Sequence, residues 1–126
     1  MRNVIILLSA NYDSLSHLEK ARRRLLQVLF DVSFTPSIWT APYHSPLPLL
    51  YQNQLVYAHT SLPLEDLQML LKHIEQQLGR TKEEKERGIV RIDIDLMQYG
   101  DTRHHLADWE RHYMKQLLEE QPQTLL

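Results

Sequence analysis

The sequence predicts an α+β sandwich, an antiparallel sheet with helices on one face plus a C-terminal helix, and three patterns point to it. Val4-Ile5-Ile6-Leu7-Leu8 is an unbroken apolar run of strand length, as expected for a central strand covered on both faces. Two later stretches repeat apolar residues at helical spacing, and a last one alternates between apolar and charged residues. Strands and helices are therefore interleaved, not segregated into separate halves.

Taken in order, Asn11-Tyr12-Asp13-Ser14 supplies turn and cap chemistry after the first strand. From Leu15 the stripe Leu18, Ala21, Leu25 and Leu29 marks an amphipathic helix, with Lys20 and Arg22 to Arg24 largely off it as a solvated face. Val32 to Thr40 is rich in β-branched and aromatic residues and reads as a strand ending before Ala41-Pro42. Pro42, Pro46 and Pro48 make residues 42 to 50 a long, semi-rigid loop, a feature that often carries binding function. Tyr51 to Thr60 reads as the next strand. Pro63 suits a first helical position, and Leu64, Leu67, Leu71, Ile74 and Leu78 form a helix stripe that Gly79 caps. A charged loop, Arg80 to Arg87, leads to a strand from Ile89 to Met97. In it Val90, Ile92, Ile94 and Leu96 share one face, and Arg91, Asp93 and Asp95 share the other. Residues 105 to 120 read as helix, and the tail 121 to 126 as frayed. With right-handed crossovers this order is a ferredoxin-like sandwich.

The 126 residues suffice for one domain, 1–126, and its 43% apolar content argues against disorder. Sixteen acids against fourteen bases leave a charge of −2, which offers no basic excess for nucleic acid. No apolar run reaches the roughly 18 residues of a membrane span, and Val4 to Leu8 is too short and unflanked for a signal sequence. The absence of cysteine excludes disulfides and thiolate chemistry and fits a cytoplasmic location. Chemistry must come from carboxylates, arginines, histidines or a hard metal ion.

Asp93-Ile94-Asp95 is the strongest local signal. On a strand these carboxylates leave the same face with Cα atoms roughly 6.5–7 Å apart. Such a pair repels unless compensated, and Mg²⁺, which takes one or two carboxylates and completes its shell with phosphates, is the usual solution. A solvated face paired to arginines is the alternative. His104, His105 and His112 near Asp101 and Asp108 invite a zinc reading, but their spacing matches no closed zinc pattern. No nucleophile elbow or glycine-rich phosphate loop is present. Trp39 and Trp109 read as core or rim aromatics.

Taken together, the residues resemble a family. Ile74 to Arg80, Gly88, and Arg91-Ile92-Asp93-Ile94-Asp95-Leu96-Met97-Gln98-Tyr99-Gly100-Asp101 are similar to 6-hydroxymethyl-7,8-dihydropterin pyrophosphokinase (HPPK), of the folate pathway. The Glu75 to Asp93 interval of 18 positions is the family's. Tyr51-Gln52-Asn53, Leu62-Pro63 with Asp66-Leu67, Leu8-Ser9-Ala10-Asn11 and Trp39-Thr40-Ala41-Pro42 resemble its other elements, in order over about residues 4–120. The resemblance implies diphosphoryl transfer from ATP to the pterin hydroxymethyl group, releasing AMP. It implies two Mg²⁺ ions on Asp93 and Asp95, with Arg80 stabilising developing charge. Asn53 would read the pterin edge, with Tyr51, Tyr113 and the loop after Pro42 around the ring. Glu75, Arg80 and Arg111 would lie on the nucleotide side.

The chain departs from the family pattern at several points. The tryptophan and arginine of the lead-in to Asp93 are here Arg87 and Val90. Arg91 shares the aspartate face by alternation and is expected to substitute in catalysis. The segment from Gly100 to Arg111 is short and lacks the family's Pro-His element, leaving His104 or His105 as its replacement. The first turn has Ser9-Ala10 in place of its glycine. The expected activity is that of the enzyme; the alternative is a pterin- or nucleotide-binding module with impaired transfer. An RNA-binding domain would need aromatics on a basic face, which the acidic pair contradicts. The expected partners are small molecules, ATP and hydroxymethyldihydropterin, without nucleic acid or membrane, and the chain a monomer or weak dimer.

Overall fold

The computed structural model describes residues 1–42 and 45–123. Six strands and five helices follow one another as β1 (Arg2–Ala10), α1 (Ser14–Val28), β2 (Phe30–Phe34), β3 (Ile38–Thr40), β4 (Tyr51–Thr60), α2 (Leu64–Gln77), α3 (Lys82–Glu86), β5 (Asp93–Tyr99), β6 (Thr102–Arg103), α4 (Leu106–Trp109) and α5 (His112–Leu118). The strands form one antiparallel sheet in the order β2-β4-β1-β5-β6, with β3 also on β4. Counting β2 and β3 as one interrupted strand, this is the expected β-α-β-β-α-β sandwich. The apolar β1 is central, between β4 and β5, as its unbroken run requires.

Alternation along each strand divides the buried residues between the two faces. Ile6 and Leu8 of β1, Val56 and Ala58 of β4, and Ile94 and Leu96 of β5 pack against Leu18, Ala21 and Leu25 of α1 and Leu67, Leu71 and Ile74 of α2. On the other face Leu7, Leu55 and Met97 meet Trp109, Met114 and Leu117, so the C-terminal helix covers part of the face that carries the aspartates. The first core is the larger. Over the rest of the second face side chains remain free to line a cavity.

Several boundaries differ from expectation. Val32–Thr40 is two strands, because Pro36 has no N–H to give a ladder and the chain breaks at residues 35–37. The last strand begins at Asp93, not Ile89, since its register with β1 ends at the Ser9–Asp93 pair and the preceding Val90 bonds to the turn after β1. Arg80–Arg87 is not a bare loop: Thr81 caps α3, its Oγ1 accepting the Glu84 N–H at 3.2 Å. The 105–120 helix is broken in two by the extended backbone of Arg111 (φ −70°, ψ 145°). The tail is tied at Gln123, whose N–H and carbonyl bond to Phe34 at 2.7 and 2.8 Å; residues 124–126 lie outside the described residues. Pro63 stands at the cap of α2, one position before the helix, and Gly79 follows with φ +100°, the left-handed conformation that favours glycine.

The Asn11 turn fixes the approach to β5. Asn11 is buried; its Oδ1 accepts the Val90 N–H at 2.7 Å, its Nδ2 donates to the Gly88 carbonyl at 2.7 Å, and its N–H donates to the Val90 carbonyl at 2.9 Å. Replacing Asn11 by Ala leaves a buried N–H and a buried carbonyl without partners. The expected loss is about 2–4 kcal/mol of stability in urea unfolding. A loss below about 0.5 kcal/mol would show that water satisfies both groups and that the turn does not depend on this side chain.

Candidate active site

Three strands bring the site together through register. Ser9 of β1 lies opposite Asn53 of β4 and Asp93 of β5, and Leu7 lies opposite Leu55 and Asp95. With strands about 4.8 Å apart, Asn53 and Asp93 stand about 10 Å from one another on one face. Between them opens a cavity of about 250 Å³ lined by Tyr51, Asn53, Asp93, Asp95, Arg111 and Tyr113, and also by Ser9, Thr40, Lys85 and Asp108. A wider hollow of about 590 Å³ adjoins it, sharing Thr40, Ala41, Arg111 and Tyr113 and extending to Trp39, His112 and Gln116.

The two aspartates have unlike surroundings. Asp93 Oδ1 accepts from Arg80 Nε at 2.9 Å, and its Oδ2 lies 3.0 Å from Lys85 Nζ. Asp95 has no such ion pair among the described residues, and burial first, then the Asp93 charge, push its carboxyl above the ordinary range. Its nearest relief comes from the more distant His105, Lys72 and Lys85. Arg80 is buried enough to disfavour its charge, yet its bond to Asp93 and the fields of Asp93, Glu75 and Asp95 raise its pKa overall. The carboxylate pair is thus neutralised on one side only.

Glu75 lies on the opposite face of β5, 1% exposed. Its Oε2 accepts the Ile94 N–H at 2.6 Å, between the two aspartates, and its Oε1 is 3.4 Å from Lys72 Nζ and 3.5 Å from Arg80 Nε. Burial raises its pKa, opposed by the Ile94 bond.

On the other side of the cavity Asn53 is held at both ends. Ser9 Oγ donates to its Oδ1 at 2.7 Å, and its Nδ2 donates to Thr40 Oγ1 at 2.6 Å. One N–H and one lone pair remain for a ligand edge. Burial raises the pKa of Tyr51, and that of Tyr113 is pushed up to about 12 by burial and the Asp108 charge, so both rings are neutral at physiological pH. Arg111 Nε donates to Asp108 Oδ1 at 3.1 Å at the rim.

Of the expected site residues, Arg91 stands apart. It precedes β5, where strand alternation no longer applies. Its Nε and Nη2 donate to Glu84 at 2.8 and 3.0 Å, and its guanidinium sits 4.7 Å from the Tyr12 ring centroid. Pro42 is half-buried next to Ala41 at the rim, but the loop expected to follow it over the ring includes Tyr43 and His44, outside the described residues. Of the two histidines, His105 shares a hollow of about 330 Å³ with Asp95, Lys72 and Gln68. Sequence reading missed Lys85, the place of Asp108 in this cavity, and the roles of Ser9 and Thr40 in orienting Asn53. Thr81-Lys82-Glu83-Glu84 was the available signal for Lys85, since a Thr three residues before Glu marks a helix start.

Among the described residues no three His, Asp or Glu side chains are grouped to hold a metal ion. The two aspartates fit a hard cation that draws its remaining ligands from water and substrate oxygens, and among the described residues Asp95 has no ion-pair partner. The cavity sets the phenol rings of Tyr51 and Tyr113 and the Asn53 amide beside two carboxylates and Arg111, a lining suited to a small molecule. The chain belongs to the 7,8-dihydro-6-hydroxymethylpterin-pyrophosphokinase (HPPK) family, whose model matches residues 5–122. That family is one of diphosphokinases in folate biosynthesis. No curated protein matches the chain. No helix among the described residues is long and apolar enough to cross a membrane.

The raised Asp95 pKa has a consequence for stability. An acid that holds its proton more tightly when folded stabilises the fold below its ordinary pKa and loses that contribution as pH rises through the raised value. Asp95→Asn, which cannot ionise, is expected to raise the unfolding temperature at pH 8, with a smaller effect at pH 4. Lower stability of the variant at pH 8 would show that a cation, and not burial, governs this carboxylate.

Proposed function

We propose that the chain transfers the diphosphoryl group of ATP to the hydroxymethyl oxygen of 6-hydroxymethyl-7,8-dihydropterin. The hydroxyl oxygen attacks the β-phosphorus, the bond from that phosphorus to the α,β-bridging oxygen breaks, AMP leaves with that oxygen, and the hydroxyl proton is released. The observation that carries this reading is Asp95, a carboxylate without an ion-pair partner among the described residues, opening on the same cavity as Tyr51, Asn53 and Tyr113.

The pterin ring would lie between Tyr51 and Tyr113 near Pro42, its edge bonded to the remaining N–H and lone pair of Asn53. Neutral phenol rings suit an uncharged aromatic. Mg²⁺, two ions by the family resemblance, would be held by Asp93 and Asp95 with phosphate oxygens and water, and would neutralise the polyphosphate for in-line displacement. Arg80 and Arg111 would meet charge growing on the transferred and leaving groups. Glu75 acts from behind, holding Arg80 and the Ile94 N–H. His105, next to Asp95 and Lys72, is the histidine better disposed to reach the nucleotide. The work is positioning and charge neutralisation, which is most of what phosphoryl transfer needs. The chain would act as a monomer or weak dimer, in the cytoplasm.

Calorimetric titration with a non-hydrolysable ATP analogue and Mg²⁺, then with the pterin, alongside turnover, tests the reading. Asp95→Asn is expected to lower turnover at least about a hundredfold, with pterin affinity within about threefold of wild type. Asn53→Ala should do the converse, weakening pterin about tenfold or more while sparing the nucleotide. Pterin binding by the wild-type chain with no nucleotide binding would instead establish a binding module.

A further inference from the structure

We propose that Lys85 is a phosphate-contacting residue of this site: it holds Asp93 in the free protein and passes to a phosphate oxygen when polyphosphate enters. The inference rests on the transfer reading above and identifies the cation that supplies the charge expected of Arg91.

The argument begins with what each cation around the aspartates is already doing. Arg91 is bound through two nitrogens to Glu84, stacked on Tyr12, and absent from the lining of the cavity. Arg80, its side chain 23% exposed, is shared between Asp93 and the buried Glu75. Lys72, three residues before Glu75 on α2, pairs with that carboxylate at 3.4 Å. Arg111 engages Asp108 at the rim. Lys85 lines the cavity, as Arg111 does, but its Nζ is also 3.0 Å from Asp93 Oδ2 and its side chain is 46% exposed. It can leave its present partner without exposing a buried charge. A lysine ammonium is also a compact charge on a flexible stem, able to move from one oxygen to another.

The backbone beneath Lys85 is well held. Thr81 caps α3. The N–H groups of Gly88 and Ile89 bond back to the carbonyls of Lys85 and Glu84 at 3.0 and 2.9 Å. Gly88 has φ +87° and packs so closely on the proline loop that an added Cβ would lie 2.9 Å from Ser45 Oγ and 3.0 Å from Pro46 Cγ. Helix and loop therefore set the position from which Lys85 reaches, and only its side chain has freedom. Arg80 keeps Asp93 paired when the Lys85 ammonium turns to a phosphate oxygen, and a cation held by the aspartates would favour the same exchange.

Titration of the full-length protein with inorganic tripolyphosphate, without metal, and with the ATP analogue plus Mg²⁺ tests this. Lys85→Met is expected to weaken both probes about tenfold, Lys85→Arg to stay within about threefold of wild type, and pterin affinity to stay within about twofold in each. Lys85→Gln repeats the measurement should the methionine disturb folding, which the unfolding midpoint reports. Unchanged affinity for both probes in Lys85→Met, with wild-type binding and turnover intact, overturns the Lys85 assignment alone. Parallel loss of pterin affinity overturns it in favour of a structural role. A wild-type chain that binds neither probe overturns both this inference and the transfer reading.

Discussion

The buried carboxylate of Glu75 is the interaction on which the arrangement of the site depends. Burying such a group costs several kcal/mol unless it is hydrogen-bonded and paired, and here it has both kinds of partner. Its Ile94 bond joins α2 to β5 midway between the aspartates, and its other oxygen faces Lys72 and Arg80. The strand outside β5 is short, pairing only at Gln98 and Tyr99. At Ile94 the Glu75 side chain therefore does what a neighbouring strand would otherwise do. Asp93 and Asp95 are held at strand spacing while their edge of the sheet stays open to a ligand.

The sheet has one face for stability and one for chemistry. The helices α1 and α2 cover the first with the larger apolar cluster. The second is covered only over Leu7, Leu55 and Met97, by Trp109 and α5. Where that cover ends, the same rows of alternating residues continue as Ser9, Asn53, Asp93 and Asp95. Core and site are thus successive stretches of the same strands, and the core fixes the spacing of the site.

Charge is distributed unevenly across that second face. Asp93 is shared by Arg80 and Lys85, which hold it in place, whereas for Asp95 burial and the Asp93 charge outweigh the more remote cations. In the proposed reading a cation would relieve that cost, and the free energy held in like-charge proximity would become available to binding. The amide end is the opposite case: Ser9 and Thr40 hold Asn53 so firmly that it loses little side-chain entropy on meeting a ring edge.

The legible parts of this protein are those governed by local periodicity. Tyr51–Thr60 and the α2 stripe emerge with almost the expected bounds, and Asp93 and Asp95 share a face because side chains on a strand alternate whatever surrounds them. Spacing and order also sufficed for the family, whose model matches residues 5–122. α3 escaped because its five residues are charged and unburied, leaving no apolar stripe to read. Arg91 was misjudged because alternation was carried four residues beyond the true start of β5, which is decided by a bond from Asn11, 79 residues away from Val90. Local sequence determined which residues could share a face. Only tertiary structure decided that Lys85 and not Arg91 faces the carboxylates and that Asp95 has no ion-pair partner among the described residues, because ion pairing depends on distances set by packing between elements remote in the chain.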